Sequence, residues 1–248
     1  MTGIRRAAAA IGSIGALAVL TACGGGGDDN GGGDGGSDLA NQSASAIETA
    51  AIEDMKAIKA VHMEGSITQQ DSEIGLDLSL TTEGDCTGTV SRGESGSAEV
   101  VTLDGNSWFK PDEEFWRAQA GPAADQIISQ VGDNWVQLPE GDQSFASFCD
   151  LDELLDQIDD DQDQPSEKGE TEDVDGTEAI MLTRDDEQQG TITVWVAVDD
   201  PHHILKVQQE GGDAPGSFTF SEFDQDAAIE APPEDQVVTV EELQQQAP

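Results

Sequence analysis

The chain has 248 residues, with 52 acidic against 10 basic side chains and a formal net charge of −42 at pH 7. Nucleic-acid binding depends on Lys and Arg neutralising phosphates, so the charge argues against that class; anionic lipid head groups are likewise repelled within a screening length of about 8 Å. A hydrophobic share of 36% still supplies one domain with a core, although tyrosine is absent.

Arg5 and Arg6 precede Ala7 to Leu20, an uncharged run of small and apolar residues. The run is shorter than the roughly 20 apolar residues of a spanning helix, and a basic flank followed by such a run is the pattern of an export signal. Its end, Leu20-Thr21-Ala22-Cys23, resembles the lipobox of bacterial lipoproteins. The resemblance implies that residues 1–22 are removed as a signal peptide. Cys23 then carries a diacylglyceryl thioether and becomes the N-terminus, a fitting role because the thiolate is a ready nucleophile for alkylation. All 52 acids and all bases but Arg5 and Arg6 lie beyond the cut, leaving 52 against 8 and a formal charge of −44. From Cys23 to Ala40 the chain is mostly Gly, Asp, Ser and Asn. Such a segment cannot bury enough apolar surface to fold and reaches roughly 20–25 Å as a flexible tether.

Residues 41–238 are expected to form the folded domain, with 239–248 as a C-terminal tail. Ser43 to Ala60 places Ile47, Ala51, Met55 and Ile58 on a helical period, with Lys56 and Lys59 where cations suit the helix dipole. "VHMEGSIT" then alternates Val61, Met63 and Ile67 against polar residues, and "IGLDLSLTT" does the same with Ile74, Leu76, Leu78 and Leu80. This period of two is that of an antiparallel sheet with one face buried. In "AEVVTLDGNSWFK", Asp104-Gly105 between apolar runs predicts a hairpin. "DEEFWRAQ" reads as a further short strand or its edge.

The period then changes. "AADQIISQVGDNWVQL" and "SFASFCDLDELLDQI" suit short helices, the second using Phe148, Leu151, Leu154 and Leu155. Asp159 to Asp173 reads as a solvated acidic loop. Asp159, Asp161, Asp163 and Glu170 have the spacing of a calcium loop, but Gln164 stands where the sharp turn needs glycine and Pro165 follows it. Strands return with "TEAIMLTR", "GTITVWVAV", "HILKVQQE" and "GSFTFSEF"; Ile192, Val194, Val196 and Val198 share a face, and Asp199-Asp200-Pro201 makes a turn. Together these elements predict one α+β domain on a large antiparallel sheet.

Cys86 and Cys149 are an even pair in an exported chain and read first as a disulfide, with two free buried thiols as the other arrangement. On the chain-entropy account, such a bond closing roughly 60 residues contributes about 4 kcal/mol. Motif chemistry is scarce: no G-x-S-x-G, P-loop or H-E-x-x-H occurs. His62, His202 and His203 stand beside no nucleophile pattern, and His202-His203 reads as a solvent-facing turn and strand start. No catalytic group, cofactor or metal is expected.

The order of elements resembles the LolA-like lipoprotein-carrier folds, in particular the LppX/LprG-type lipoproteins of actinobacteria. The resemblance rests on the lipobox, the helix before "VHMEGSIT", "VVTLDGNSWFK", "ITVWVAVDDPHHILKV" and the ending "FTFSEFDQDAAIEAPPEDQVV". It implies a curved antiparallel half-barrel sheet with helices against its concave face, and an apolar cavity between them that holds acyl chains of a lipid or glycolipid. Val61, Met63, Ile67, Ile74, Leu76, Leu78, Ile192, Val194 and Val196 are then the wall candidates. The implied protein is a non-enzymatic lipid carrier on the extracytoplasmic face of the cell membrane, anchored through Cys23. The alternative is a sensory or interaction lipoprotein that uses the same fold to regulate a membrane-protein partner.

Overall fold

The computed structural model describes residues 39–139, 149–160 and 166–245. The signal peptide, the Cys23 lipidation site and most of the tether lie outside these residues, as do Phe148, Asp161 and Asp163.

Helix α1 (Ala44–Met55) starts where Ser43 caps it, the Ser43 hydroxyl accepting the Ala46 N–H at 3.3 Å. It buries Ile47, Ala51, Ile52 and Met55 on one face. It stops five residues before the expected Ala60, because the following backbone is claimed by other partners. The Lys59 N–H donates to Asp224 Oδ1 at 2.7 Å, and Ala60 is already paired with Thr81.

Strands β1 (Ala60–Gln69) and β2 (Ser72–Thr81) are joined by Gln70 and Asp71, both at positive φ. Two such residues between paired strands make a turn whose twist matches the sheet. The same device recurs at Asp104-Gly105, between β4 (Ser97–Leu103) and β5 (Asn106–Pro111), and at Asp175-Gly176, between β7 (Glu167–Val174) and β8 (Thr177–Asp186). The remaining strands are β3 (Cys86–Arg92), β6 (Trp135–Gln137), β9 (Gly190–Ala197), β10 (Ile204–Glu210), β11 (Gly216–Ser221) and β12 (Val237–Thr239). They form one open, curled sheet of 12 strands in the order β12-β6-β5-β4-β3-β2-β1-β11-β10-β9-β8-β7. Every pairing is antiparallel except β12 with β6. Beyond β12, Val240–Gln245 forms helix α5 in the segment expected to be a tail.

Two expectations are corrected. "DEEFWRAQ" is not a strand but helix α2 (Glu113–Ala120). Asp112 caps it, accepting the Phe115 N–H at 2.7 Å through one oxygen and the Ser97 N–H and hydroxyl at 2.7 and 2.9 Å through the other. Burial alone would raise the Asp112 carboxyl, but these hydrogen bonds to its charged form outweigh it and hold the group below the usual carboxylate range. Gly96, at φ 90°, lies so close that a Cβ there would stand 2.3 Å from the capping oxygen. The second correction is the acidic loop, of which Glu167 to Asp173 belong to strand β7, exposed along nearly its whole length at the edge of the sheet. Up to Val174 its residues are charged, Thr or Gly, so the burial signal is missing, and charge on an edge strand discourages pairing with other chains.

Helices α3 (Ala124–Val131) and α4 (Leu151–Asp160) fall where short helices are expected. Cys86 and Cys149 form the disulfide, with their Cα atoms 5.3 Å apart. It fixes the chain just before α4 to the first residue of β3. The core combines α1 and α4 (Ile47, Met55, Leu151, Leu155) with the inward residues of the sheet (Met63, Leu78, Leu182, Val196, Phe220). Leu39, at the end of the segment read as tether, is part of that core, and Lys168 Nζ donates to the carbonyls of Ala40 and Gln42 at 3.0 and 2.8 Å. Among the described residues, no helix is long and apolar enough to cross a membrane.

Candidate functional site

Strand register stacks the inner face into rows. The deepest runs Ile180–Val196 on β8 and β9 and continues as Phe220–Met63–Leu78 across β11, β1 and β2. Above it lies Leu182–Val194–Val207–Phe218–Gly65–Leu76–Val90. The outermost is Arg184–Ile192–Gln209–Gly216–Ile67–Ile74–Arg92, an apolar centre with an arginine at each end.

The β8–β10 end of these rows is not filled. A cavity of about 210 Å³ lies there, walled by Leu182, Ile192, Val194, Val196, Ile204 and Val207 from the sheet and by Ala51 and Ile52 of α1. Its other lining residues are polar: Glu48, Ser166, Arg184, Gln189 and Gln209. The depth follows from the register. Arg184 and Ile180 are four residues apart on one strand, about 14 Å at 3.4 Å per residue. A wider depression of about 480 Å³ beside β4, β5, α2 and α3 is lined largely by charged groups, including Glu99, Lys110, Asp112 and Asp133. Such a surface suits water rather than hydrocarbon.

The nine wall candidates all project from the same face, but the structure divides them. Ile192, Val194 and Val196 line the cavity. Val61, Met63, Leu76 and Leu78 are buried in the core, Ile74 packs against it, and Ile67 is half-buried in the outermost row. Residues on α1, β8 and β10, with Ser166 before β7 and Gln189 in the β8–β9 turn, complete the lining and escaped the sequence reading. Alternation along "AIMLTR" puts Leu182 and Arg184 on one face and could have found them. Ile204 and Val207 could not be found that way, because a register shift between Ile204 and Lys206 breaks the period of two and turns both inward.

The turn before β10 departs from its expected solvent exposure. His202 has a side chain only 13% exposed; its backbone N–H donates to Asp54 Oδ2 at 2.6 Å, Nε2 lies 2.9 Å from Asp200 Oδ1, and Nδ1 lies 3.2 Å from the Ala197 carbonyl. These contacts tie the end of α1 to the β9–β10 turn. Among the described residues, Asp54, Asp200 and His202 are the one group whose potential metal-ligating atoms all come within 4.8 Å of one another. His203 stacks on Phe223 with ring centroids 4.0 Å apart. Burial pushes its imidazole below the ordinary histidine value, against a smaller upward pull from Asp54 and Asp224.

No protein-family model matches the sequence, and no curated protein matches it. Solved structures do. LprF from Mycobacterium bovis is 12% identical with a TM-score of 0.55, over 76% of this chain and 96% of that one. The lipoprotein LppX from Mycobacterium tuberculosis is 16% identical with a TM-score of 0.49, over 75% and 98%. An uncharacterised conserved protein from Thermus thermophilus follows at 11% and 0.38, over 80% and 99%. The likeness to LprF shows the fold alone: an α+β half-barrel of the kind that the sequence resemblance implied.

Proposed function

We propose that this half-barrel is the folded part of a lipid-anchored, extracytoplasmic protein that binds a lipid acyl chain between α1 and strands β8–β10. The observation that carries the reading is the cavity of about 210 Å³, apolar in its depth and polar at its lining's outer row. A side-chain-filled core would leave no such volume, and an engineered apolar cavity of about 150 Å³ already admits benzene. Each methylene buried there contributes about 0.8 kcal/mol, so binding needs no catalytic group. The export signal and Cys23 would hold the domain within tether reach of the bilayer from which the chain is drawn.

Native mass spectrometry of the purified full chain tests the binding. Acyl-chain adducts are expected on the wild type and lost in Val194→Trp, which places an indole in the cavity. A wild type that takes up no acyl-chain ligand would sink the proposal. The anchor has its own test: Cys23→Ala should leave the membrane fraction or accumulate uncut. A processed, membrane-bound Cys23→Ala product would remove the anchor from the reading.

A further inference from the structure

We infer that Asp54, Asp200 and His202 form a binding site for a divalent cation of the Zn²⁺ class, where the last turn of α1 meets the turn into β10. The sequence gives no sign of it, because Asp54 is far along the chain from the other two and only the fold brings the three together.

The imidazole is set up as a ligand. Its side chain is only 13% exposed, and its Nδ1 lies 3.2 Å from the Ala197 carbonyl. A carbonyl oxygen can only accept, so this contact places a proton on Nδ1. Neutral His202 then carries its lone pair on Nε2, as a metal-ligating histidine does when a backbone carbonyl holds its other nitrogen. That lone pair faces Asp200 Oδ1 at 2.9 Å. Two acceptors at this separation repel unless a positive centre lies between them.

Asp54 supplies the third donor. The His202 backbone N–H donates to its Oδ2 at 2.6 Å. A carboxylate accepts at both oxygens, so this bond positions the group and leaves a second oxygen for coordination. One potential ligand atom from each of the three residues falls within 4.8 Å of the others. Zinc bonds of about 2.0–2.2 Å at tetrahedral angles separate donor atoms by about 3.3–3.6 Å. A small turn of Asp200, whose side chain is 79% exposed, reaches that spacing. Three protein ligands leave a fourth position for water.

Charge and donor type select the ion. Asp54 stands in the last turn of α1, where the negative end of the helix dipole favours a cation. A proton on Nε2 relieves the contact with Asp200 but sets one positive charge against two carboxylates; a dication balances both. The imidazole favours Zn²⁺ over Ca²⁺ and Mg²⁺, which take oxygen ligands.

Titration of the full chain in its Cys23→Ala form, which removes the one cysteine outside the disulfide, tests the site. Zn²⁺ should fill one saturable site and raise the melting temperature. Ca²⁺ and Mg²⁺, which report loose attraction to the acidic surface, should bind about tenfold or more weaker. Of the three histidines, His202 alone should show a shifted ring-nitrogen NMR signal on adding Zn²⁺. His202→Gln and Asp200→Asn should each weaken Zn²⁺ by about tenfold or more, whereas His62→Gln, whose ring lies beside Asp77, should leave it unchanged. Asp200→Asn alters an exposed carboxylate and serves if His202→Gln does not fold. The inference is overturned by the lack of a saturable Zn²⁺ site, by Ca²⁺ or Mg²⁺ binding as tightly, or by a Zn²⁺ affinity that survives these variants. A ring-nitrogen shift at His62 or His203 in place of His202 overturns it equally, and the His202–Asp200 contact is then an ion pair held by a proton.

Discussion

The inner face of the sheet is built from one repeating pattern and ends in two different states. Across β1–β3, Leu76, Leu78, Leu80 and Cys86 are buried beneath helical side chains that include Leu151 and Leu155 of α4, which the Cys86–Cys149 disulfide fixes in place. Across β8–β10, Ile192, Val194 and Val207 face α1 where it presents Ala51, and the space between remains open. Strands β1 and β2 in the one half and β8 and β9 in the other alternate apolar residues inward with the same period. What differs is that α4 is tied to β3 through Cys149 and Cys86, whereas the β8–β10 end faces Ala51 and Ile52 of α1 across open space. Alternation therefore specifies which side chains face inward; the opposing element determines whether they touch.

The largest effect expected of this contrast concerns the disulfide. Replacing Cys86 and Cys149 together by alanine should lower the unfolding free energy by about 2–4 kcal/mol, read from denaturant midpoints. The loss should fall on the closed half, where hydrogen exchange is expected to rise in α4 and β3, while acyl-chain uptake on the β8–β10 side persists at temperatures where the chain is folded. A double variant as stable as the wild type, or one that stays folded but loses its ligand, would break the division into a stapled half and an open one.

A pair of tryptophan substitutions probes the same contrast directly. Leu76 is 7% exposed in the core, so Leu76→Trp overpacks it and should cost about 1–3 kcal/mol. Val194 faces the cavity, so Val194→Trp should cost less than about 1 kcal/mol while displacing ligand. Thermal melts of the two variants decide the matter: equal destabilisation would mean that both halves are packed alike.

Much of this architecture is legible in the residues. Ser43 before a helical period, strict alternation through Leu76 and Leu78, and Asp104-Gly105 between apolar runs each contain the local physics that fixes the element. Strand β3 is not legible, because Gly88 and the surrounding Thr and Ser residues give no apolar alternation. Gly88 is nonetheless demanded by contact: a Cβ there would lie 2.0 Å from the Asp77 carbonyl oxygen. Helix α2 is hidden for another reason. Its stabilising feature, Asp112, works through Ser97 and Phe115, and the first of these partners becomes a neighbour only when β4 pairs with β5. The site divides likewise: Ile192, Val194 and Val196 follow from alternation, whereas Ala51 and Ile204 become lining residues through packing and a bulge.

The smallest expected effect lies at the margin of the open half. His203 immediately precedes Ile204, a cavity residue, and its ring is stacked on Phe223. Burial lowers its pKa, Asp54 and Asp224 pull it partly back, and the neighbouring His202 lowers it further. The folded chain thus favours neutral imidazole, while the unfolded chain takes up a proton near the ordinary value of about 6.5. Below that pH the unfolded state binds more protons, so stability falls with pH; the contribution is complete above about 6.5 and is lost as pH drops toward the folded value. Because the ring is only half-buried, the change is a fraction of what full burial would give. His203→Phe keeps a ring against Phe223 and removes the proton site, and should flatten the fall in melting temperature between pH 7.5 and 5.5. If the open half is the less tightly held, its β10 amides should also gain hydrogen exchange over that interval before those of β2 do. Identical pH slopes in wild type and His203→Phe would show that protonation at this turn has no hold on the cavity's edge.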